Sequence, residues 1–189
     1  TGATPHAMTD CLCFGNPENP EQMWEFAEAT RGVADACKGI HLKNNMDYPV
    51  PIIAGNVSFY NESKTGAIPP SPIVSCLGKL ADVNKAITSG FKNLDSTILL
   101  IGERKNELGG SAYYALFDKL GKNIPRPNLA GVEAEIWALT DLIDAGLVSA
   151  AHDISDGGAA VALAEMSFEK EIGFEIEIEQ DMRPDQWLF

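Results

Sequence analysis

The chain has 189 residues, enough for one large domain or two small ones, and at 45% hydrophobic it has the composition of an ordinary globular protein. No apolar run approaches the roughly 18 to 20 residues of a membrane span and no basic-then-apolar leader is seen, so a cytoplasmic protein without membrane contact is expected. A formal net charge of -13, with 14 scattered lysines and arginines, excludes the basic stripe of a nucleic-acid binder. Phosphorylated small molecules stay open as partners, because Mg²⁺ and backbone amides can hold phosphate where lysines are few.

Residues 1–15 read as a strand that runs into a loop at "TDCLCFGNPENP". A helix follows, with Asn19 as cap, Pro20 at its first position and Gln22 three residues beyond the cap. Met23, Phe26, Ala27, Thr30, Val33, Ala34 and Cys37 recur at helical spacing and predict one apolar face against a sheet. The β-rich run "VPIIAGNVSFYNES" is expected to be interrupted at Gly55-Asn56, where a glycine marks a bulge or a close approach of the backbone. After the loop at Pro69, Pro70 and Pro72, "IVSCLGKL" reads as another strand, and the polar, aperiodic residues 82–94 read as a linker.

The second unit opens with "STILLIG" as a short buried strand and "ELGGSAYYALFDKLG" as a Gly-Gly turn feeding a helix. From Val132 to Ala145, Ile136, Leu139, Leu142 and Ile143 predict an amphipathic helix ended by Gly146. "GAAVALAEM" predicts a small-residue helix. "GFEIEIE", alternating Phe174, Ile176 and Ile178 with Glu175, Glu177 and Glu179, predicts a strand buried on one face. Strands and helices thus alternate in a mixed α/β or α+β class, with residues 1–82 as one unit, 83–94 as linker and 95–189 as a second unit. The fresh apolar start at "PDQWLF" suggests a piece of a longer protein.

Several residue groups could support chemistry. Cys11, Cys13, Cys37 and Cys76 lack both disulfide-framework and zinc-finger spacing and are expected to be reduced thiols. Asp10 and Asn56, with Ser58 and Asn61 close behind, place a carboxylate and an amide oxygen near the bare backbone of Gly55; on residue type alone these first read as bonding turn amides, and the same pair also suits a hard cation. Gly109-Gly110 before a helix could cradle an anion or simply turn the chain. In "AHDISDGGAA", Ser155 or Asp156 as helix cap, phosphate binding at the helix start, and His152 as general base are all open.

"TDCLCFGNPENPEQMWEF", "AGNVSFYNES" and "AHDISDGGAAVALAEM", in this order and separation, closely resemble the large subunit of the phosphoribosylformylglycinamidine synthase family. That resemblance spans nearly the whole chain. It implies a ferredoxin-like unit of the aminoimidazole ribonucleotide synthetase type followed by an α/β unit, together most of the second of two related halves. It also implies part of an ATP-dependent ligase of purine biosynthesis, which uses glutamine-derived ammonia to convert formylglycinamide ribonucleotide to the amidine. The family pattern puts ATP contacts on Asp10 and Gly55, a Mg²⁺ ligand on Asn56 and a substrate contact on Ser58.

The implied partners are the missing first half of the same chain, a glutaminase subunit and a small bridging subunit. The family's catalytic histidines belong to the first half, and His6, His41 and His152 do not stand in their context, so the chain alone is expected to be inactive. A non-catalytic half that binds a structural nucleotide and docks other subunits is the alternative. Two departures stand out: Cys13 replaces the family's usual asparagine, and residues 39–50 form a longer connection than the pattern has.

Overall fold

A computed structural model describes residues 1–178 and 182–189, and divides into two compact units. One comprises Ala3–Ala81 with Leu129–Trp137; the other comprises Thr1–Gly2, Asp82–Asn128 and Ala138–Phe189. Both helices and sheets are present, so the class is mixed α and β.

In the first unit, β1 (Thr4–Cys13) leads into α1 (Pro20–Lys38), which returns the chain to β4 (Ile52–Ser58) parallel to β1. The last long strand, β7 (Ser71–Lys79), pairs antiparallel on the other side of β1, giving the order β4-β1-β7. Alternation along β1 sends Met8, Asp10, Leu12 and Phe14 to one face and Thr9, Cys11 and Cys13 to the other. The first set faces α1: Cys37 Sγ donates to Met8 Sδ at 3.4 Å, and Phe26 meets Phe14 edge-on with ring centroids 5.3 Å apart. Phe59 continues this aromatic chain at 5.0 Å from Phe26. Phe14 and Val50 are the largest fully buried side chains, and burying a residue of this size stabilises the unit by about 1.5–3 kcal/mol.

Asn19 caps α1 as expected, its Oδ1 accepting from the Glu21 N–H at 3.0 Å, with Pro20 opening the helix. Gln22 takes no part in a capping box. Its side chain lies over Gly15, where a β-carbon would stand 2.8 Å from Gln22 Cδ, so packing has claimed the group that the spacing offered to the cap. The longer connection at residues 39–50 holds a hairpin, β2 (His41–Leu42) with β3 (Asn45–Pro49). Glu133 anchors it, accepting from the His41 backbone N–H at 2.5 Å and pairing with His41 Nδ1 at 2.8 Å. A second small hairpin, β5 (Glu62–Ser63) with β6 (Gly66–Ala67), follows β4.

The expected interruption at Gly55-Asn56 is corrected. Register runs unbroken from Ala54 to Ser58, and the irregularity falls one turn of the pleat earlier, between Ile52 and Ala54. Glycine is needed at position 55 for lateral room, and backbone pairing there is regular.

In the other unit, residues 82–94 open with a 3₁₀ turn, Val83–Lys85, capped by Asp82. They pair with their own unit: Thr88 bridges Ala150, the Phe91 N–H bonds Met166 O at 2.8 Å, and Lys92 Nζ meets Glu169 at 2.5 Å. The helix α3 (Val132–Asp144), which belongs to this unit from Ala138 on, ends as the sequence predicts. Gly146 at φ 73° lets its N–H reach Ile143 O at 2.9 Å and the Leu147 N–H reach Leu142 O at 3.0 Å, a Schellman closure. The small-residue helix α4 (Gly158–Phe168) buries Gly158, Ala159, Ala162 and Leu163. A short α5 (Pro184–Leu188) follows.

Three element expectations fail here. "STILLIG" is not a strand, and Ile98–Ile101 are exposed, because a strand needs a neighbour for its backbone groups and no sheet among the described residues supplies one. Likewise 174–178 form no strand, and Glu179 lies outside the described residues. "ELGGSAYYALFDKLG" yields only one helical turn, α2 (Ala112–Ala115), ended by Asp118 and Gly121 at φ 52° and 77°.

Candidate functional site

Asp10–Cys13 and Gly55–Ser58 are the last four residues of β1 and β4, and the two strands are parallel neighbours. Carboxyl ends of adjacent parallel strands are where mixed sheets commonly place ligands, because the chain leaves the sheet there and exposes backbone groups. The register brings Asp10 beside Gly55, Cys11 beside Asn56, and Cys13 beside Ser58. Strand β4 pairs with β1 alone among the described residues, leaving its outer edge open beside Gly55 and Asn56, both exposed.

The four residues singled out by sequence therefore sit within one short stretch, on two faces. Asp10 lies on the α1 side, its carboxylate over Gly55: a β-carbon there would contact Asp10 Oδ1 and stand 2.8 Å from Asp10 Cγ. Asn56 and Ser58 lie on the opposite face with Cys11 and Cys13. Asn56 Nδ2 donates to Cys11 Sγ at 3.3 Å, which turns its amide oxygen away from the sulfur. Ser58 Oγ donates to Asn61 Oδ1 at 3.1 Å, while Asn61 Nδ2 donates to Phe14 O and Ser58 O, each at 2.9 Å. Asn61 thus locks the exits of both strands, a role that its place in "SFYNES" does not disclose.

The thiols differ. Burial pushes Cys37 up from the ordinary thiol value, with Cys76 and Asp10 adding to the effect, so it is a core thiol. Cys13 is raised chiefly by its hydrogen bond with Cys11, whose sulfur lies 3.6 Å away. Among the described residues no group of three or more His, Cys, Asp or Glu gathers to hold a metal.

The other two sequence landmarks lie in the second unit. At "HDISDGG" neither Ser155 nor Asp156 caps α4 with its side chain. Gly157 takes the cap position at φ 85°, and the turn closes through the Gly158 N–H to Ser155 O at 3.0 Å. Consecutive positive φ values at Gly157 and Gly158 impose that geometry, and a side chain at Gly158 would meet Leu188 O at 2.6 Å. His152 is tied to structure, with Nδ1 2.7 Å from Asp153 O and Nε2 3.1 Å from Glu165 Oε2. At Gly109-Gly110 the helix is too short to offer an anion site. Gly109 packs on Asn123, whose carbonyl accepts its N–H at 2.7 Å, and a polar cavity of about 210 Å³ adjoins, lined by Lys122, Arg126 and Glu107 among others.

Comparison with known proteins assigns the chain. Residues 1–80 match the N-terminal domain model, and residues 95–188 the C-terminal domain model, of AIR synthase related proteins. The chain belongs to this family. A curated phosphoribosylformylglycinamidine synthase subunit PurL from Methanothrix thermoacetophila is 47% identical over all of this chain and 25% of its own length. The PurL subunit of Moorella thermoacetica is 43% identical, again over all of this chain and 25% of its own. The chain therefore spans about a quarter of the length of these relatives. A solved structure of T. maritima PurL complexed with FGAR superimposes over 99% of this chain and 30% of its own, with TM-score 0.59 and 16% identity, which is a likeness of fold. No helix among the described residues is long and apolar enough to cross a membrane.

Proposed function

We propose that the chain forms part of the second half of an ATP-dependent carbon–nitrogen ligase of purine biosynthesis, the phosphoribosylformylglycinamidine synthase. The whole protein converts formylglycinamide ribonucleotide, ammonia released from glutamine and ATP to formylglycinamidine ribonucleotide, ADP and phosphate. The observation that carries this reading is the convergence of Asp10, Gly55, Asn56 and Ser58 on the ends of two parallel strands, in a chain 47% identical to a PurL subunit along its whole length. The FGAR bound by the T. maritima protein agrees with the proposed substrate.

ATP would lie across the open edge of β4 at Gly55, the position from which a ligand can touch both faces of the sheet. Gly55 lets phosphate approach the backbone, and Asp10 beside it orients the nucleotide as an acceptor. Asn56 fits Mg²⁺ as a single oxygen ligand: its N–H bond to Cys11 leaves the amide oxygen turned outward, and no group of three or more His, Cys, Asp or Glu gathers around it among the described residues. Mg²⁺ commonly takes one or two protein oxygens and completes its shell with phosphate and water. When bound it neutralises phosphate charge as the formamide oxygen is phosphorylated. Ser58, oriented by Asn61, presents its hydroxyl oxygen to the substrate.

In this reading the remainder of the protein supplies the catalytic histidines, a separate glutaminase supplies ammonia, a small subunit bridges the two in multi-subunit forms, and the chain is inactive alone. The units would correspond to residues 1–82 and 95–189, joined by 83–94. The test is Asn56→Ala in the full-length protein, with ATP-analogue binding followed by calorimetry with and without Mg²⁺. Loss of the Mg²⁺-dependent part of binding is expected; unchanged binding at both conditions overturns the assignment.

A further inference from the structure

Cys11 and Cys13 leave the same face of β1, and their sulfurs stand 3.6 Å apart. Both are only partly buried. The strand that holds them is fixed on both sides, Cys11 between Asn56 and Ile73 and Cys13 between Ser58 and Ser71.

That separation discriminates between two chemistries. A disulfide requires sulfurs about 2.05 Å apart and Cα atoms within roughly 6.8 Å. Residues two apart on an extended strand have Cα atoms about 6.6–6.8 Å apart, at the limit of that range. Closing the sulfurs would therefore buckle a strand paired along both edges. A zinc–thiolate bond of about 2.3 Å, by contrast, spans 3.6 Å at an S–Zn–S angle of about 103°, close to tetrahedral, with the backbone where it is.

We infer that Cys11 and Cys13 together chelate one thiophilic d¹⁰ dication, of the Zn²⁺ or Cd²⁺ class, on the face of the sheet opposite α1. Two metal–sulfur bonds form and the two thiol protons pass to solvent. Asn56 completes the setting: its Nδ2–H donates to Cys11 Sγ at 3.3 Å, the kind of outer contact that steadies a coordinated sulfur. Solvent fills the remaining positions. With no larger cluster of ligating residues among the described ones, this is an exchangeable two-thiolate site, unlike a closed structural centre. The inference does not rest on the ATP assignment, although an ion held here would border Asn56 and Ser58.

The experiment is titration of the reduced, chelator-treated full-length protein with Cd²⁺ alone, following the ultraviolet thiolate-to-cadmium absorption. Cys11→Ser and Cys13→Ser should each weaken one equivalent by about tenfold or more, at least the loss caused by removing an outer partner from a metal site. Cys76→Ser should leave it intact. Serine variants that titrate like the parent overturn the inference, as does loss of the signal in Cys76→Ser. If a serine variant does not fold, alkylation of the unmodified protein mapped by mass spectrometry decides. Cd²⁺ should protect Cys11 and Cys13 together, and equal labelling with and without Cd²⁺ overturns the inference.

Discussion

The carboxyl group of Asp10 occupies the space in which a side chain on Gly55 would stand, 2.8 Å from Asp10 Cγ to the missing β-carbon, and the two residues are direct partners in the β1–β4 register. The glycine is thus the mould of the aspartate. Gly55→Ala should force the carboxylate aside or push β4 from β1, costing about 1–3 kcal/mol, the usual range for overpacking. Thermal unfolding measures this directly. Because the clash is pairwise, Asp10→Gly combined with Gly55→Ala should recover most of the lost stability, giving a coupling energy that two independent sites would lack. Under the proposed ATP contact of Asp10, the double variant should regain stability in the full-length protein without regaining ATP binding.

Phe14→Ala should cost about 3–5 kcal/mol, because it removes a fully buried ring that the Phe26 ring meets edge-on at 5.3 Å. The loss should appear as a lower denaturant midpoint with little change in slope. Phe26→Leu, which keeps much of the volume and loses the ring geometry, should cost less than half as much.

Much of the first unit was legible because its signals are local. Asn19, Pro20 and the spacing from Phe26 to Cys37 define α1, and short apolar runs define β1, β4 and β7. Lateral relationships were hidden. That Asp10 fills Gly55's empty position, or that Asn56 bonds Cys11, depends on register between strands more than forty residues apart in sequence. Apolar runs in the second unit misled for a related reason. Ile98–Ile101 and Phe174–Ile178 have strand composition, but composition does not supply a pairing partner. At Gly157-Gly158 the conformational freedom of glycine displaced the Ser155 or Asp156 cap that propensity favoured.

Acid should selectively loosen the β2–β3 hairpin. The His41 backbone N–H, and then its ring, hold the Glu133 carboxyl below the usual glutamate value. A depressed carboxyl contributes stability that is fully present above the unfolded value, about 4.3, and is lost as pH falls through the folded value. Glu133→Gln should therefore lower the melting temperature at neutral pH, and the gap from the parent should close below about pH 4. A gap independent of pH would mean that the hydrogen bonds alone matter.

Asn61 offers the sharpest test of how the strand ends are held. Its Nδ2 bonds Phe14 O and Ser58 O, both at 2.9 Å, while its Oδ1 accepts from Ser58 Oγ at 3.1 Å. Asn61→Asp keeps the shape and replaces the two donors with a carboxylate facing two carbonyl oxygens. Asn61→Ala removes donors and acceptor together. An unsatisfied group costs about 1–3 kcal/mol when fully buried and less at a half-buried position such as Asn61, but a carboxylate facing two carbonyl oxygens is also repelled, so Asp should destabilise more than Ala, although it is nearly isosteric with Asn. The order should reverse at low pH, where the protonated acid regains one donor. Equilibrium unfolding of both variants at neutral and acidic pH checks this, and a larger loss for Ala at neutral pH would show that packing, not donation, joins β1 to β4 at this end.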